Sequence, residues 1–281
     1  QGPWNGSSSL KHLAPGSFQG NPTGNKYFSL TKVLGPQPPN PKSGSRIEAE
    51  RKNLPAFVPP PIILSHGKLG NSPAGVECDE TGGKFGPFTH QLFISEQTHS
   101  KVHRIFLEKV NGYYQGAAFP FLKGFGSGNI VARFAADGSM FTGGTNRGWG
   151  SHGKNPFSFQ RVNWTGKVPF EVHEMRAKPD GFELTFTHPA TVASLSDLAS
   201  YKMEAYTYIY QKGYGSPVVD KSVPTVTKAV PGKDGKSVRI HVKGLVKGHV
   251  HELKMEGIRS AKDLPLLHSV AYYTLNEIPK G

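Results

Sequence analysis

The chain has 281 residues, enough for one or two domains, and it is rich in glycine (34), proline (23) and phenylalanine (17). Its 33 basic and 20 acidic residues give a formal charge of +13, which favours an acidic partner such as a polyanionic glycan or a redox protein. No nucleic-acid-binding signature occurs, and no apolar stretch approaches the ~18 residues of a membrane span, so we expect neither nucleic acid binding nor a span. The single Cys78 allows no internal disulfide.

The first part of the chain combines a partial sheet unit with an insertion. A polar loop at 1–6 leads into a strand predicted at 9–13. Two proline clusters then remove backbone donors and predict a long surface insertion at about 14–62. Within this insertion, the residues around 47–52 predict one helical turn.

The middle of the chain repeats a pattern of strand, turn, strand, polar loop and strand. In one copy the turn is Gly82-Gly83 and the loop is 97–101; in the next they are the hairpin dipeptide Asp137-Gly138 and the Gly-rich segment 145–155. The predicted strands are 76–79, 91–95, 102–108, 130–134, 139–143 and 157–164. The repeat predicts blades of a β-propeller, and an ordinary antiparallel sandwich is the alternative.

The visible repeat is too short for a closed propeller, which needs about four to eight blades. The chain also starts at Gln1 in the middle of a blade, without Met or a signal-peptide pattern. We therefore expect residues 1–165 to be the last blades of a larger propeller. The missing N-terminal blades would be a partner, as an earlier part of the same precursor or as a second chain.

Residues 166–281 predict a second domain. About seven strands alternate with turn signals such as Pro179-Asp180-Gly181. The predicted strands are 170–177, 182–187, 201–211, 223–230, 237–243, 250–255 and 270–275. Their number and spacing match an immunoglobulin-like or fibronectin-like β-sandwich. The expected fold is therefore all-β, a partial β-propeller followed by a sandwich.

Loops that join the second and third strands of propeller blades converge at one mouth of the channel. The equivalent loops here are 1–6, 97–101 and 145–155. Aromatic faces stack on sugar rings, amides bind hydroxyls, and arginine binds a carboxylate or carbonyl through two hydrogen bonds. The predicted substrate-binding or cofactor-binding residues are Trp4, Asn5, Gln97, Asn146, Arg147 and Trp149. The alternative is that these side chains only shape and pack the loops.

Two histidines of this mouth are candidate catalytic bases, because oxidation of an alcohol needs a group that takes the hydroxyl proton and histidine has a suitable pKa. They are His99, in the loop 97–101, and His66, in a Gly-rich loop that leads into the first copy. His152 is a weaker candidate, because the sequence does not set the direction of its loop. The alternative for each is a surface or structural histidine.

Two sequence patterns suggest metal ligands without defining a site. His249 and His251 share one face of a predicted strand, as a chelating pair would, but no third ligand can be assigned. The acidic turn Asp79-Glu80-Thr81 offers oxygen ligands for calcium, but two acids in a turn are a weak signal. We therefore predict no metal site.

Three alternating tyrosines have two interpretations. Tyr206, Tyr208 and Tyr210 share one face of a predicted strand. They either form a platform on which a sugar stacks or pack within the sandwich, and packing is the favoured interpretation.

Several strings resemble a known family. They are AADGSMF at 135–141, TNRGWG at 145–150, QGPWNG at 1–6, GNSPAG at 70–75 and KFGPF at 84–88. They look like the last blades of bacterial, planctomycete-type secreted propeller proteins similar to the soluble glucose/sorbosone dehydrogenases of the quinoprotein type. The resemblance implies oxidation of a sugar or polyol hydroxyl, with electrons passed to a quinone and then to a c-type cytochrome, in a secreted or periplasmic protein.

The same resemblance implies pyrroloquinoline quinone and calcium as cofactors, and a sugar or glycan as ligand. It also places the catalytic histidine in an early blade, which this chain lacks. The alternative function is therefore a non-catalytic carbohydrate-binding or assembly scaffold built on the same propeller.

Overall fold

The computed structural model describes residues 2–4, 6–30, 37 and 39–281. Over these residues the chain forms four antiparallel sheets, so the predicted all-β class is confirmed. The strands are β1 Ser9–Leu10, β2 Ile62–Ile63, β3 Pro73–Cys78, β4 Leu92–Glu96, β5 Lys101–Val110, β6 Tyr113–Lys123, β7 Asn129–Phe134, β8 Met140–Thr145, β9 Phe157–Val162, β10 Val172–Lys178, β11 Gly181–Phe186, β12 Lys202–Tyr208, β13 Val218–Ser222, β14 Thr225–Pro231, β15 Ser237–Lys243, β16 His249–Lys254 and β17 Val270–Leu275. The helices are α1 Ile47–Asn53 and α2 Val192–Ser196, with 3-10 helices at Pro22–Leu30 and Leu198–Ser200.

The largest sheet has eight strands in the order β13-β12-β16-β17-β6-β5-β4-β3. Its centre is the pairing of β17 with β6, in which Tyr273 lies opposite Ala117 and Thr274 lies opposite Gly116. The boundary predicted near residue 165 therefore falls between strands of one continuous sheet. The two-domain division itself stays a prediction.

Two smaller sheets cover one face of the eight-stranded sheet. The four-stranded sheet β10-β11-β15-β14 packs on the part that contains β6, β17, β16 and β12. Side chains such as Phe182, Ile240 and Tyr273 fill the space between the two layers. The three-stranded sheet β7-β8-β9 covers the other part, over a core that includes Phe93 and Met140.

The N-terminal segment covers the opposite face. Successive residues of a strand point to opposite sides, so Phe106 belongs to the first core and Ile105 to the second. This second core also contains Ile62 and Ile63 of the small sheet β1-β2. Helix α1 confirms the helical turn predicted around 47–52, inside the proline-rich insertion.

The longest strand, β6, was not predicted. None of the predicted strands covers its range, Tyr113–Lys123. The turn Asn111-Gly112, in which both residues have positive φ values of 48° and 88°, is the hairpin dipeptide that reverses the chain into β6. Strand β5 pairs with β6 along its whole length, from Lys101 to Val110, and β6 in turn pairs with β17.

We expect the protein to lose stability as the pH falls from neutrality to about 5. His103 and His251 lie on β5 and β16, and burial lowers the pKa of His103 to about 4 and that of His251 to about 3. The unfolded chain binds these protons near pH 6.5 and the folded chain does not, so the contribution to stability is full above pH 6.5 and declines below it. The loss at pH 5 should be roughly 1–2 kcal/mol per histidine.

Urea unfolding at neutral pH and at about pH 5 measures this loss. The variant His103→Leu should show a weaker pH dependence than the wild type, because its side chain takes up no proton. His188→Leu changes an exposed histidine and should keep the wild-type dependence. Equal pH dependence in the wild type and in His103→Leu would contradict the assignment.

Candidate functional site

Two loops that the sequence predicted to converge are joined by hydrogen bonds. We call them the loop pair: residues 96–101, between β4 and β5, and residues 145–156, between β8 and β9. The backbone N–H of His152 donates to the Thr98 carbonyl at 2.9 Å, and the backbone N–H of Gly153 donates to Ser100 Oγ at 2.8 Å. The loop pair therefore connects the three-stranded sheet to the edge of the eight-stranded sheet.

Asn146 is the structural centre of the longer loop. Its Oδ1 accepts from the backbone N–H of Gly128 at 3.1 Å and from Ser151 Oγ at 2.6 Å. Its Nδ2 donates to the carbonyls of Gly153 at 2.5 Å and Asn155 at 2.9 Å. The amide thus uses both of its ends to shape the loop, as the packing alternative predicted.

Gln97 also has a structural position. It is buried, and its Nε2 donates to the carbonyl of Trp149 at 3.0 Å. The side chain packs on Gly128, where an added Cβ would lie 2.7 Å from Gln97 Nε2. Gln97 therefore supports the loop that carries Trp149.

His99 lies between a carboxylate and a second histidine. Its Nδ1 is 3.6 Å from Glu96 Oε2, and its ring centroid is 4.8 Å from that of His152. Burial lowers the pKa of His99, with the charges of Lys101, His152 and His66 acting in the same direction and Glu96 opposing. The ring is therefore neutral near pH 7, as a general base must be.

Glu96 is a residue that the sequence analysis missed. Burial raises the pKa of Glu96, but the backbone N–H groups of Ser72, His99 and Asn71 outweigh burial and hold that pKa below its ordinary value. The N–H of His99 donates to Glu96 Oε2 at 2.5 Å. A carboxylate three residues before His99, at the start of a polar loop, is the sequence signal for this local contact.

The exposed part of the loop pair is a small aromatic and cationic surface. Trp149 is 72% exposed, and Arg147, His152 and Lys154 are exposed around the same loop. Arg147 forms no side-chain hydrogen bond or ion pair with any residue that the structure describes. This surface can stack on a flat ring and pair with an anion.

The other predicted site residues lie elsewhere or outside the described residues. Trp4 is buried in a separate cluster, with its ring centroid 5.1 Å from that of Tyr210. His66 is exposed on the rim of a groove of about 320 Å³, and its backbone N–H donates to Tyr208 Oη at 3.2 Å. Asn5 lies outside the residues that the structure describes.

The three alternating tyrosines are buried, so none offers an exposed ring face. Around Tyr206 the structure forms a polar group that the sequence analysis missed. Its hydroxyl lies 2.7 Å from Ser65 Oγ and 3.3 Å from the buried Glu252, which also pairs with Lys68. These contacts attach the 65–70 loop to β12 and β16.

The implied cofactors find no matching ligand set. Among the described residues, no group of three or more His, Cys, Asp or Glu side chains is arranged to hold a metal ion. His251 is buried, and its Nε2 accepts from the backbone N–H of Val246 at 3.3 Å.

In the part of the chain that the structure describes, no helix has the length and apolarity that crossing a membrane requires. No protein-family model, curated protein or solved structure matches the chain.

Replacing Asn146 by Ala should loosen the longer loop, because the backbone groups of Gly128 and Gly153 would lose their partners. The expected loss of folding free energy is roughly 1–3 kcal/mol. Hydrogen exchange of residues 145–156 and urea unfolding measure the two effects.

Asn155→Ala is the matched control, because its exposed side chain in the same loop donates no hydrogen bond to a described residue. It should leave both measurements near the wild type. If Asn146→Ala and Asn155→Ala behave alike, the hydrogen bonds of Asn146 do not determine the loop structure.

Proposed function

We propose that the chain binds an anionic carbohydrate at the loop pair, as a non-catalytic part of a secreted or periplasmic propeller protein with an immunoglobulin-like sandwich. The observation that carries the proposal is the exposed Trp149 beside Arg147, on a loop fixed by Asn146. An exposed aromatic ring next to a planar cation suits a sugar that carries a carboxylate.

Charge supports the choice of an anionic ligand. Arg147, His152 and Lys154 are exposed around Trp149, and the whole chain has a formal charge of +13. The electrostatic field of this positive charge attracts polyanions before they make contact, and the attraction weakens as salt is added. A neutral sugar would gain only the stacking contribution.

Rigidity supports a binding role as well. The backbone around Trp149 is held from two sides, by Gln97 from the shorter loop and by Asn146 from within the longer one. Little conformational entropy is then lost when a ligand binds, which is the benefit of a preorganised site.

The exposed face of the three-stranded sheet supports the proposal of further blades. Phe157 and Phe159 on β9 are 78% and 76% exposed, and the ring centroid of Phe159 lies 5.3 Å from that of Phe141. The other face of this sheet is buried in the core around Met140. A sheet with apolar side chains on both faces is typical of a layer covered on both sides.

Titration with polygalacturonate, which is anionic, and with dextran, which is neutral, tests the binding proposal. We expect saturable binding of polygalacturonate that weakens with added salt, and much weaker binding of dextran. Trp149→Ala should weaken polygalacturonate binding by at least tenfold, as loss of a central aromatic contact does. Arg147→Lys keeps the charge but loses the planar fork, at a cost of roughly 1–3 kcal/mol.

Two control variants match these changes. Tyr214→Ala removes an aromatic side chain that is 76% exposed on a different loop, and Lys233→Ala removes an exposed cation. Both should bind polygalacturonate like the wild type. Loss of binding in the controls, or none in the loop variants, would place recognition outside the loop pair.

Sugar oxidation is the second candidate function, and the neutral His99 favours it. Its Nδ1 is buried and forms no hydrogen bond with a residue that the structure describes, so no protein group already takes up the proton-accepting capacity of the neutral ring. Glu96 and His152 hold the ring from two sides. His66 is less suited to the same role, because it lies on the rim of another groove.

Dye-linked oxidation of aldoses by the full-length protein tests the role of His99. His99→Gln keeps a hydrogen-bonding side chain but removes the base, so it should lower kcat by about 10²–10⁴-fold with little change in KM. His188→Gln, an exposed histidine, is the control. Turnover that survives His99→Gln would assign catalysis to a different residue.

A further inference from the structure

A separate cavity lies at the opposite end of β9 from the loop pair. It is a groove of about 360 Å³ between the end of β9, the following linker and the segment before β17, and we call it the Trp164 groove. Its walls are mostly aromatic and aliphatic, and they include Phe85, Phe88, Phe121 and Leu267. The volume is at the lower end of the range for small-molecule pockets, which suits a ligand of one or two rings.

The polar residues of the wall are Asn163, Thr165, Lys167, Glu171 and His268, and the last two form a pair. Nδ1 of His268 lies 2.5 Å from Glu171 Oε1, and the backbone N–H of His268 donates to Glu171 Oε2 at 3.3 Å. Glu171 is 4% exposed, so its carboxylate is available mainly to His268. The backbone N–H of the preceding Leu267 donates to the Phe170 carbonyl at 3.0 Å, which fixes the two segments together.

This pairing determines what the second nitrogen of His268 can do. Because Nδ1 carries the hydrogen that Glu171 accepts, the neutral ring presents a lone pair at Nε2. No residue that the structure describes forms a hydrogen bond with this Nε2. His268 lines the groove, so a ligand within it can donate to that nitrogen.

The opposite wall is also held in place. Trp164 Nε1 donates to the Lys167 carbonyl at 3.2 Å, and the indole packs against the backbone of Gly86. Trp164 is 37% exposed and Leu267 is 65% exposed, so both present apolar surface to solvent. Covering this surface with a ring would remove it from water.

We propose that the Trp164 groove binds a small neutral phenol, whose ring contacts Trp164 and whose hydroxyl donates to His268 Nε2. The apolar walls select an aromatic body, and the lone pair of His268 Nε2 selects a hydroxyl donor. The Glu171 carboxylate beside His268 disfavours an anionic ligand at the same place. This site is separate from the proposed carbohydrate surface.

The probes are 2-naphthol and its methyl ether, 2-methoxynaphthalene, which share the ring system but differ in the donor. With the full-length protein, naphthol should bind saturably and about tenfold more tightly than the ether, the value of one hydrogen bond. His268→Phe should remove this preference and leave binding of the ether unchanged. His268→Gln retains an acceptor oxygen, so it should keep part of the preference for naphthol over the ether. Trp164→Ala should weaken the binding of both probes.

His188→Phe is the matched control, because that exposed histidine lies outside the Trp164 groove. It should bind both probes like the wild type, and thermal melts confirm that each variant is folded. Equal affinity of the wild type for the two probes, no saturable binding, or an unchanged preference in folded His268→Phe would overturn the proposal.

Discussion

The pairing of β6 with β17 is the constraint on which the rest of the molecule depends. Without it, the strands on the two sides of residue 165 would form two shorter sheets with open edges. On its other side β6 approaches β5 closely, since a side chain at Gly116 would collide with the Phe106 carbonyl of β5. Tyr273 links β17 to β5 and β6, because its hydroxyl donates to Glu108 of β5 and accepts from Gln115 of β6 at 2.9 Å.

A buried arginine connects the eight-stranded sheet to the four-stranded sheet. The Arg104 guanidinium of β5 lies 4.0 Å from the ring centroid of Phe88 and 4.2 Å from that of Phe119, and it donates to the Val172 carbonyl at 2.6 Å. Burial lowers the pKa of Arg104 to about 9, against the opposing effect of Glu171 and Glu174. The charge is therefore stabilised by carbonyl oxygens and ring faces, and it fixes the start of β10 on the eight-stranded sheet.

Local patterns predicted local structure well. Alternating apolar residues and turn dipeptides indicated β7, β8 and β9, with the Asp137-Gly138 turn between the first two. The convergence of the loops 97–101 and 145–155 was also predicted. Long-range pairing was not, because alternation sets which face a strand presents but not its neighbour, and so the β6–β17 pairing had no signal in either strand.

The roles of individual site residues were the least predictable. Asn146 and Gln97 are amides in polar loops, which suit ligand binding and loop shaping equally, and only their hydrogen-bond partners assign them to shaping. Trp4 and Trp149 have similar Gly-rich surroundings in the sequence, yet one is buried and the other is exposed. Burial depends on what packs against a loop from distant segments, and Tyr210 supplies that contact for Trp4.

The strand β9 keeps the two proposed sites apart. The loop pair ends directly before Phe157, whereas Trp164 lies two residues after Val162, so β9 separates them by about 20 Å at the rise of a β-strand. One site is exposed and cationic, and the other is a groove with apolar walls. Substitutions at sites this far apart, without shared partners, have nearly additive effects. Binding at one site can therefore be abolished while the other serves as an internal measure of the folded state.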